Sequence, residues 1–529
     1  MTTSPTQAYL DSLRQVDKPV EEVLDHLSRQ LRTHTPDPSS GLPSLPHHVA
    51  SPWLLGQARE LLHEPGRRAT LGAWFTPAGV ARQLLGEVTR ATPVPASILD
   101  PACGGGAFLL AAHERFPRAR LCGWDIDPLA VQVTRAALDL AGCTNHDVRV
   151  ADGLTQDLPG HDLVVGNPPF LSQLLAKSAR SQQRREELAR CYGSLASGYV
   201  DEAALFVLAT ARDLLSEGGQ AVLVVPEAML ATTDGQALRA EVADLCLVEV
   251  VWRDHDSVFP GTPACALRLT HRPGAGGNGG QAGGGGGSWA PLLAGGVPQV
   301  ILPQTSPPGH PPLSDIATGT ADFREAYYLL ADHVCEEGSA VGRQVHRIVP
   351  VGLIDPAHLR WGSTSLRFAK QRWARPVAVD LPTSFLQRRL GPKVLVATQT
   401  LVLEALVDAD GDLLPSTPVI TVRTDRLWHV GAALTSPVLT AIAARRHAGA
   451  ARARGVLKLS AKQVLGLPLP LGPSAEWDQA AQAYRQAHQA SDPVVRRQLL
   501  IHCGVSMMAA YGVEGAELLE WWSGRLPSR

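Results

Sequence analysis

The residues with the clearest capacity for chemistry stand together in the segment Asn167-Pro168-Pro169-Phe170, which directly follows the apolar run DLVVG. Proline fixes its own φ, lacks a backbone N–H and restricts the preceding residue to extended geometry. The segment therefore has few accessible conformations and presents oxygen atoms with few competing donors. This pattern predicts a rigid loop at the end of a strand, built to accept hydrogen bonds, with an aromatic ring beside it.

Three acidic residues follow other short apolar runs. Asp100 opens the turn DPACGGG, whose three consecutive glycines let a ligand approach the backbone, while Asp125 lies in GWDID and Asp152 in VADGL. The glycine spacing does not match the dinucleotide pattern G-x-G-x-x-G, and an acid at the start of the turn is a poor host for pyrophosphate. Asp100 instead suits an ammonium group, Asp125 suits ribose hydroxyls and Asp152 suits an adenine amine. Each acid alone is more often a turn or cap residue, but together the three describe an S-adenosylmethionine site.

These residues fall within an alternation of strand and helix patterns. The short apolar runs ASILDP, RLCGWDID, HDLVVGNPPF and GQAVLVVP predict strands, and helical spacing appears between them in AFLLAAHERF, LAVQVTRAALDLA and DEAALFVLATARDLL. The alternation predicts an α/β, doubly wound, Rossmann-like domain with an open parallel sheet covered on both faces. Ligands bind beyond the carboxyl ends of such strands, where Asp100, Asp125, Asp152 and Asn167 fall.

The motif order GAWFTP, DPACGGGAF, GWDIDP, ADGL and NPPF, over residues 72–170, resembles the gamma-class, TaqI-like adenine-N6 DNA methyltransferases of bacterial restriction-modification systems. Weaker similarity continues to about residue 270. The resemblance implies an enzyme that transfers a methyl group from S-adenosylmethionine to the exocyclic N6 amine of an adenine swung out of duplex DNA.

The resemblance also implies roles for individual residues. Those assigned to the cofactor are Thr76, Pro77, Asp100, Ala102, Gly104, Asp125, Ile126 and Asp152. Those assigned to catalysis are Asn167, Pro168, Pro169 and Phe170. The Asn167 side-chain oxygen and the Pro168 carbonyl accept the two N–H bonds of the target amine, which aims its lone pair at the methyl group. Phe170, where many members carry tyrosine, stacks on the base. Phe259, in VFPGTP, falls where the family has a second aromatic against the base, although a core phenylalanine is an equal alternative.

The length of 529 residues and a hydrophobic content of 45% predict two or more domains. Ten of the fourteen residues in 274–287 are glycine, a composition that cannot hold one packed conformation. We expect an N-terminal helical extension at 1–65, the catalytic domain at 66–272, a glycine-rich linker or loop at 273–298, a mixed α+β target-recognition domain at 299–470 and a helical segment at 471–529.

Charge is segregated along the chain. The formal net charge is only −2, but residues 341–470 hold 18 Lys or Arg against 7 Asp or Glu, so that segment is +11 and the remainder −13. Local positive potential favours phosphate binding. The segment also bears a loose likeness to the recognition domain of the TaqI-like family, so we expect double-stranded DNA as the partner. A solvated arginine-rich face is the alternative, because 42 of the 48 basic residues are arginine.

Several function classes are disfavoured. The N-terminus lacks a basic segment followed by an apolar one, and no stretch of about 18 apolar residues occurs, which predicts a cytoplasmic protein without membrane contact. The eight scattered cysteines include no C-x-x-C pair, so we expect reduced thiols and no metal. None of the six lysines follows an acid by two residues. A restriction nuclease of the acid-x-Lys type would therefore be encoded separately. His255, between two aspartates, fits a polar loop better than a metal site.

Two other functions stay open at this point. An Asn-Pro-Pro-aromatic loop also occurs in enzymes that methylate a glutamine side chain or the base amines of RNA, because each substrate presents a planar amine. The large module after the glycine run argues against the former, and RNA base methylation is the first alternative. The second is a DNA-binding specificity or regulatory protein whose pocket no longer turns over.

Overall fold

The computed structural model describes residues 4–33, 35, 38–62, 76–88, 94–156, 159–170, 181–198, 200–232, 234–255, 258–259, 262–272, 288–303, 309–321, 324–449 and 455–527. The chain forms two compact units, Met1–Leu292 and Leu293–Arg529. The glycine run at 274–287 lies outside the described residues. The five-part division expected from the sequence is finer than this and stays a prediction.

The first unit alternates helices with strands along most of its length. Its helices are α1 (Pro5–Arg14), α2 (Val20–Thr33), α3 (Trp53–Leu62), α4 (Ala78–Val88), α5 (Ala107–Arg115), α6 (Pro128–Leu140), α7 (Gln182–Tyr192), α8 (Glu202–Ala209), α9 (Gln236–Leu245) and the short α10 (Ala290–Leu293) at its boundary. Its strands are β1 (Ser97–Asp100), β2 (Arg120–Asp125), β3 (His146–Val150), β4 (His161–Gly166), β5 (Leu215–Pro226), β6 (Cys246–Arg253) and β7 (Ala264–His271). The four strands predicted from apolar runs are β1, β2, β4 and β5.

The seven strands form one sheet in the order β3-β2-β1-β4-β5-β7-β6. The first five are mutually parallel, whereas β7 runs antiparallel to both of its neighbours. The expectation of a wholly parallel sheet is therefore wrong at this edge. Only residues 254–263 separate β6 from β7, and a parallel pair needs a crossover of about a dozen residues or more. The doubly wound fold itself is confirmed.

The direction of strand order reverses between β1 and β4, which lie side by side with Ile98 opposite Leu163. The chain leaves β1 towards β2 on one side and reaches β4 on the other. Such a switch point opens a crevice at the carboxyl ends of the two strands. Asp100 ends β1 and Asn167 directly follows β4, so the sheet brings these two residues to the mouth of one crevice.

The N-terminal helices share a hydrophobic core with this sheet. A Cβ placed on Gly105, in the glycine turn, would lie 2.6 Å from the Cα of Gly56 in α3, so only glycine permits this approach. Arg59 of α3 forms an ion pair with Asp127, the residue that caps α6. Helix α3 therefore supports the glycine turn from behind.

The second unit is a mixture of short strands and packed helices. Its strands are β8 (Thr318–Ala321), β9 (Val334–Glu336), β10 (Val345–Val349), β11 (Ile354–Asp355), β12 (His358–Leu359), β13 (Leu366–Phe368), β14 (Gln371–Trp373), β15 (Pro376–Val379), β16 (Lys393–Ala397), β17 (Glu404–Asp408), β18 (Leu414–Pro415) and β19 (Ile420–Arg423). Its helices are α11 (Arg324–His333), α12 (Thr383–Arg389), α13 (Leu427–Thr435), α14 (Pro437–His447), α15 (Ala461–Leu465), α16 (Ala475–Gln489), α17 (Pro493–Ala510) and α18 (Ala516–Ser523).

These strands form two four-stranded sheets, in the orders β17-β16-β19-β8 and β18-β10-β15-β9, and two separate hairpins, β11-β12 and β13-β14. Helices α13 to α18 bury their apolar sides in a core that includes Val430, Tyr484 and Trp522. Among the described residues no single helix has the length and apolar composition of a membrane span; only the bent pair α13 and α14 passes that test jointly.

Candidate cofactor and catalytic site

The ends of β1 and β4 meet at a pocket that is open to solvent. A Cβ on Gly166, the last residue of β4, would lie 2.9 Å from Oδ1 of Asp100, which shows how closely the two strand ends approach. The pocket is lined by Thr76, Asp100, Ala102, Cys103, Gly104, Gly105, Ala107, Phe108 and Asn167. Five of these are sequence-predicted site residues. The other four belong to the same glycine turn and the first turn of α5.

Asp100 is buried, with 2% of its surface exposed, and its Oδ1 accepts a hydrogen bond of 3.1 Å from the backbone N–H of Ala102. Burial raises the pKa of this carboxyl to about 8, and the nearby charge of Asp125 acts in the same direction. In the part of the chain that the structure describes, no Lys, Arg or His pairs with Asp100. Among these described residues, the ionised form of the carboxyl therefore has no paired cation.

Asp125, at the end of β2, ties this strand to the glycine turn. Its Oδ2 accepts from the N–H of Gly104 and its Oδ1 from the N–H of Asp127, both at 2.9 Å. Burial raises the pKa of Asp125, and these two hydrogen bonds oppose the shift. A carboxylate has about four lone-pair sites, so each oxygen can accept a further bond. The next residue, Ile126, exposes 64% of its surface, a large apolar side chain beside the acid.

The glycine turn is fixed by its own contacts. Gly104 has a φ of +52°, a left-handed conformation that favours glycine, and its carbonyl accepts a 2.9 Å hydrogen bond from Oγ1 of Thr134 in α6. Thr76 lies buried against the pocket, and Pro77 directly precedes α4. The remainder of the GAWFTP motif lies outside the described residues.

Asp152, after β3, does not line this pocket. Its Oδ1 accepts a 3.0 Å hydrogen bond from the N–H of Leu154, and its carboxylate forms an ion pair with Arg184 of α7. The same guanidinium reaches Oε2 of the buried Glu202 at 3.4 Å. Arg184 has no local signature in the sequence, because its partners lie far away along the chain. The adenine contact expected of Asp152 stays a prediction.

The Asn-Pro-Pro-Phe segment lies where β4 ends. Oδ1 of Asn167 is shielded from solvent and Pro168 is buried, whereas Pro169 and Phe170 are half-buried. The centroid of the Phe170 ring lies 6.0 Å from that of Phe259 at an interplanar angle of 65°. The two aromatics expected at the target base are therefore neighbours.

Phe259 itself is only 2% exposed and also contacts Trp252 edge-on, with ring centroids 6.4 Å apart. Asp254 fixes this part of the chain, because its carboxylate accepts from the N–H groups of Val258 at 2.8 Å and Phe259 at 3.0 Å. Phe259 therefore supports the ring of Phe170 from the core, and its direct contact with a base stays a prediction. Within the described residues no group of three or more His, Cys, Asp or Glu side chains has the arrangement of a metal site.

Comparisons with known proteins give similar chains for this part of the sequence. Residues 55–271 match the model of the family N-6 DNA Methylase. The type II methyltransferase M.XamI of Xanthomonas campestris pv. amaranthicola is 32% identical over 235 residues, which are 42% of this chain and 43% of that protein. M.TthHB8I of Thermus thermophilus is 32% identical over 213 residues, 39% of this chain and 46% of its own length.

A third relative is named for an RNA substrate. The tRNA1(Val) (adenine(37)-N6)-methyltransferase of Porphyromonas gingivalis is 29% identical over 165 residues, 30% of this chain and 55% of that protein. The chain thus spans about half the length of these curated relatives. The family match at residues 55–271 lies in the unit that contains the pocket. Residues 55–271 are thus similar to the N-6 DNA Methylase family, and the strands within them form a doubly wound, Rossmann-like sheet.

Proposed function

We propose that the chain is a site-specific DNA methyltransferase of the gamma-class, TaqI-like group, which transfers a methyl group from S-adenosylmethionine to N6 of an adenine. One observation carries the proposal. Asp100 and Asn167, which lie far apart in sequence, line the same pocket at the switch point of the sheet. One site thus holds a carboxyl group that can pair with a cation and an amide oxygen that can accept a hydrogen bond from an amine. The transfer of a methyl group from a sulfonium cofactor to a base amine requires both.

The groups at the pocket are of the types that S-adenosylmethionine would need. The buried Asp100 has a raised pKa, and the ammonium group of the cofactor would supply its missing counter-charge. Asp125 would accept from the ribose hydroxyls through its remaining lone pairs, and the exposed Ile126 offers an apolar surface to the adenine ring. When bound, S-adenosylmethionine supplies a methyl carbon activated by its sulfonium.

Five further residues would complete this site. Thr76, Ala102 and Gly104 line the pocket, and Pro77 extends the Thr76 side of it into α4. Asp152 would accept from the adenine amine of the cofactor while it stays paired with Arg184, since a carboxylate can serve several donors.

The Asn167 loop would activate the target amine by polarisation. The lone pair of an exocyclic adenine nitrogen is delocalised into the ring, so the free amine is a weak nucleophile. Oδ1 of Asn167 and the carbonyl of Pro168 would accept its two N–H bonds and favour tetrahedral geometry at nitrogen. Pro169 stiffens the loop, so the acceptors need no reorganisation as positive charge develops on the nitrogen.

Phe170 would hold the base once it has left the helix. Swinging a base out of duplex DNA costs a few kcal/mol, and stacking on an aromatic ring recovers about 1–3 kcal/mol. Phe170 is half-buried, so one part of its ring is accessible while Phe259 supports the other.

Double-stranded DNA is the proposed partner, and the basic second unit would bind it. The proposed location is the cytoplasm, and any cognate restriction nuclease would be encoded separately. The +11 charge of residues 341–470 supports this assignment. The relative named for a tRNA substrate makes RNA adenine the second candidate, because its amine presents the same two N–H groups.

Mapping of modified bases in cells that express the chain tests the proposal. Genomic DNA should carry N6-methyladenine within one short motif, and cells that express the Asn167→Ala variant should lack it. Total RNA from the same cells provides the other arm. A mark confined to RNA would replace the DNA assignment, and the absence of any new mark would support the non-catalytic alternative.

A further inference from the structure

The hairpin β13-β14 in the second unit is short and two-faced. Its strands pair with Leu366 opposite Trp373, Arg367 opposite Arg372 and Phe368 opposite Gln371. Side chains alternate between the two faces of a strand pair. Leu366, Phe368 and Trp373 therefore share one face, and the two arginines share the other.

The apolar face is anchored to the protein. Phe368 is 5% exposed, and its ring packs edge-on against Tyr327 of α11, with centroids 5.2 Å apart. Nε1 of Trp373 donates a 2.9 Å hydrogen bond to the carbonyl of Phe368, which ties the two strands together near the tip. The hairpin is therefore held firmly on one side, and Arg367 and Arg372 are exposed on the other.

Folding stability alone does not explain the residues on the exposed face and at the tip of the hairpin. Like charges directly opposite each other in a strand pair are destabilising. The two tip residues, Ala369 and Lys370, have φ values of +48° and +65°, where asparagine and glycine are the favoured residues. Among the described residues, Arg367, Lys370 and Arg372 form no ion pair, whereas the following Arg375 pairs with Glu337 at 3.4 Å. Three cations without an ion pair among the described residues thus surround the tip, and a bound polyanion would neutralise their mutual repulsion.

We propose that this hairpin is a ribbon that contacts the DNA duplex, with Arg367 and Arg372 on its phosphates or base edges and Lys370 at its leading end. The major groove of B-form DNA, about 12 Å wide, admits a two-stranded ribbon, whereas that of A-form RNA is deep and narrow. The inference rests on the proposed function and adds to it a named contact surface for the substrate.

The alternative role for such charges is to protect exposed strand edges from pairing with another chain. That role needs no DNA. It predicts that loss of the charges promotes self-association and leaves the affinity for DNA unchanged.

Fluorescence anisotropy with a short labelled DNA duplex of random sequence, over a range of KCl concentrations, tests the inference on the full chain. The double variant Arg367→Gln/Arg372→Gln should reduce the slope of log affinity against log salt by about two. Near 0.1 M salt its affinity should fall about tenfold per arginine, since each phosphate contact contributes a slope of about −0.9. The variant Arg367→Lys/Arg372→Lys keeps the charge and should retain the slope.

The matched control is Arg14→Gln/Arg118→Gln, which removes two exposed arginines of the first unit that form no ion pair among the described residues. If the hairpin variant shows the salt slope and affinity of this control, the inference is overturned. It is equally overturned if the hairpin variant self-associates by light scattering while it binds DNA normally. An equal loss of affinity for an A-form RNA duplex would contradict the fit to a B-form groove.

Methyl transfer separates failure of this inference from failure of the proposed function. If the wild-type chain transfers no methyl group to DNA, the proposed function fails. If the wild type is active and the hairpin variant has the same KM for DNA and the same salt slope as the control, only the ribbon assignment fails. The ribbon assignment expects a raised KM for DNA with an unchanged rate at saturating DNA.

Discussion

Asp100 lies in surroundings that favour the binding of a cationic ligand group. It lies buried at the end of β1 and accepts a hydrogen bond from the backbone N–H of Ala102, and its pKa is raised to about 8. A buried carboxyl of this kind stays neutral or finds a cation. We therefore expect burial of Asp100 to lower the folding stability of the cofactor-free protein as the pH rises.

The free energy of unfolding of the cofactor-free protein should depend on pH through the ionisation of Asp100. Between the ordinary pKa of 3.8 and the folded value of about 8, the unfolded chain releases the Asp100 proton while the folded chain keeps it. The stabilisation present at low pH is therefore lost as pH rises, by at most about 1.4 kcal/mol per pH unit. Denaturant titrations at several pH values should show Asp100→Asn gaining stability relative to wild type as pH rises towards neutrality. Parallel curves for the two proteins would show that Asp100 is ionised in the folded state.

Asn167 is expected to act on the rate of methyl transfer and hardly on cofactor affinity. Removal of its acceptor in Asn167→Ala should slow single-turnover transfer by about 10²–10³-fold, as for the loss of one preorganised group at a reacting centre. Asn167→Asp keeps an oxygen acceptor and should be less impaired. Calorimetric titration should give similar S-adenosylmethionine affinities for all three proteins. A variant that transfers at the wild-type rate once saturated with cofactor would remove Asn167 from the chemistry.

At the scale of elements, Arg184 links helix α7 to the end of β3 and to the first turn of α8. It pairs with Asp152, and with Glu202, whose side chain is only 5% exposed. Loss of one partner of a buried pair costs about 3–5 kcal/mol, and the partial exposure of Arg184 reduces that figure here.

Arg184→Gln should therefore lower the free energy of unfolding by about 1–3 kcal/mol, since two carboxylates lose their cation. The control is Arg185→Gln, one position along the same helix, where the side chain is exposed and forms no ion pair among the described residues. Urea titrations of both variants give the comparison. Equal, small effects would mean that the ion pair contributes little to the stability of α7.

The sequence predicts the strands that carry the site residues better than it predicts the contacts of those strands and residues. Short apolar runs predict β1, β2, β4 and β5. Parallel strands place their carboxyl ends at one edge of a sheet, so Asp100 and Asn167 were expected to lie close together. The antiparallel β7 was not predicted, because strand direction depends on the short connection after β6 and not on residue pattern. The pair between Asp152 and Arg184 was also missed, since a contact across the fold has no local signature.

Phe259 illustrates a different limit of sequence-based prediction. A short Val-Phe-Pro pattern cannot distinguish an aromatic residue in the core from one that faces a ligand. The structure buries the ring and places it edge-on to Phe170. The Asp254 carboxylate accepts from the N–H groups of Val258 and Phe259, and such contacts leave no mark in a short sequence pattern.

At the scale of the whole molecule, the two units have separate hydrophobic cores. A ligand that binds only the pocket of the first unit should stabilise that unit by mass action, by about 2.7 kcal/mol at 100 times its Kd. Among the described residues, those that line this pocket all belong to the first unit.

Hydrogen exchange followed by mass spectrometry should therefore show a localised response to S-adenosylmethionine. Peptides that cover Asp100 to Phe108 and Asn167 to Phe170 should gain protection, whereas β16 and β19 should exchange as before. The Asp100→Asn variant should show a weaker response at the same cofactor concentration. Protection confined to the second unit would place the cofactor site elsewhere.

The identity of the methylated nucleoside tests the central claim most directly. Purified wild-type chain and Asn167→Ala would be incubated with S-adenosylmethionine and duplex DNA, and the digested nucleosides would be separated and measured by mass spectrometry. We predict N6-methyladenine as the methylated product of the wild type and its loss in the variant. A methylated cytosine, or equal amounts of N6-methyladenine from both proteins, would contradict the assignment of the Asn167 loop to an adenine amine.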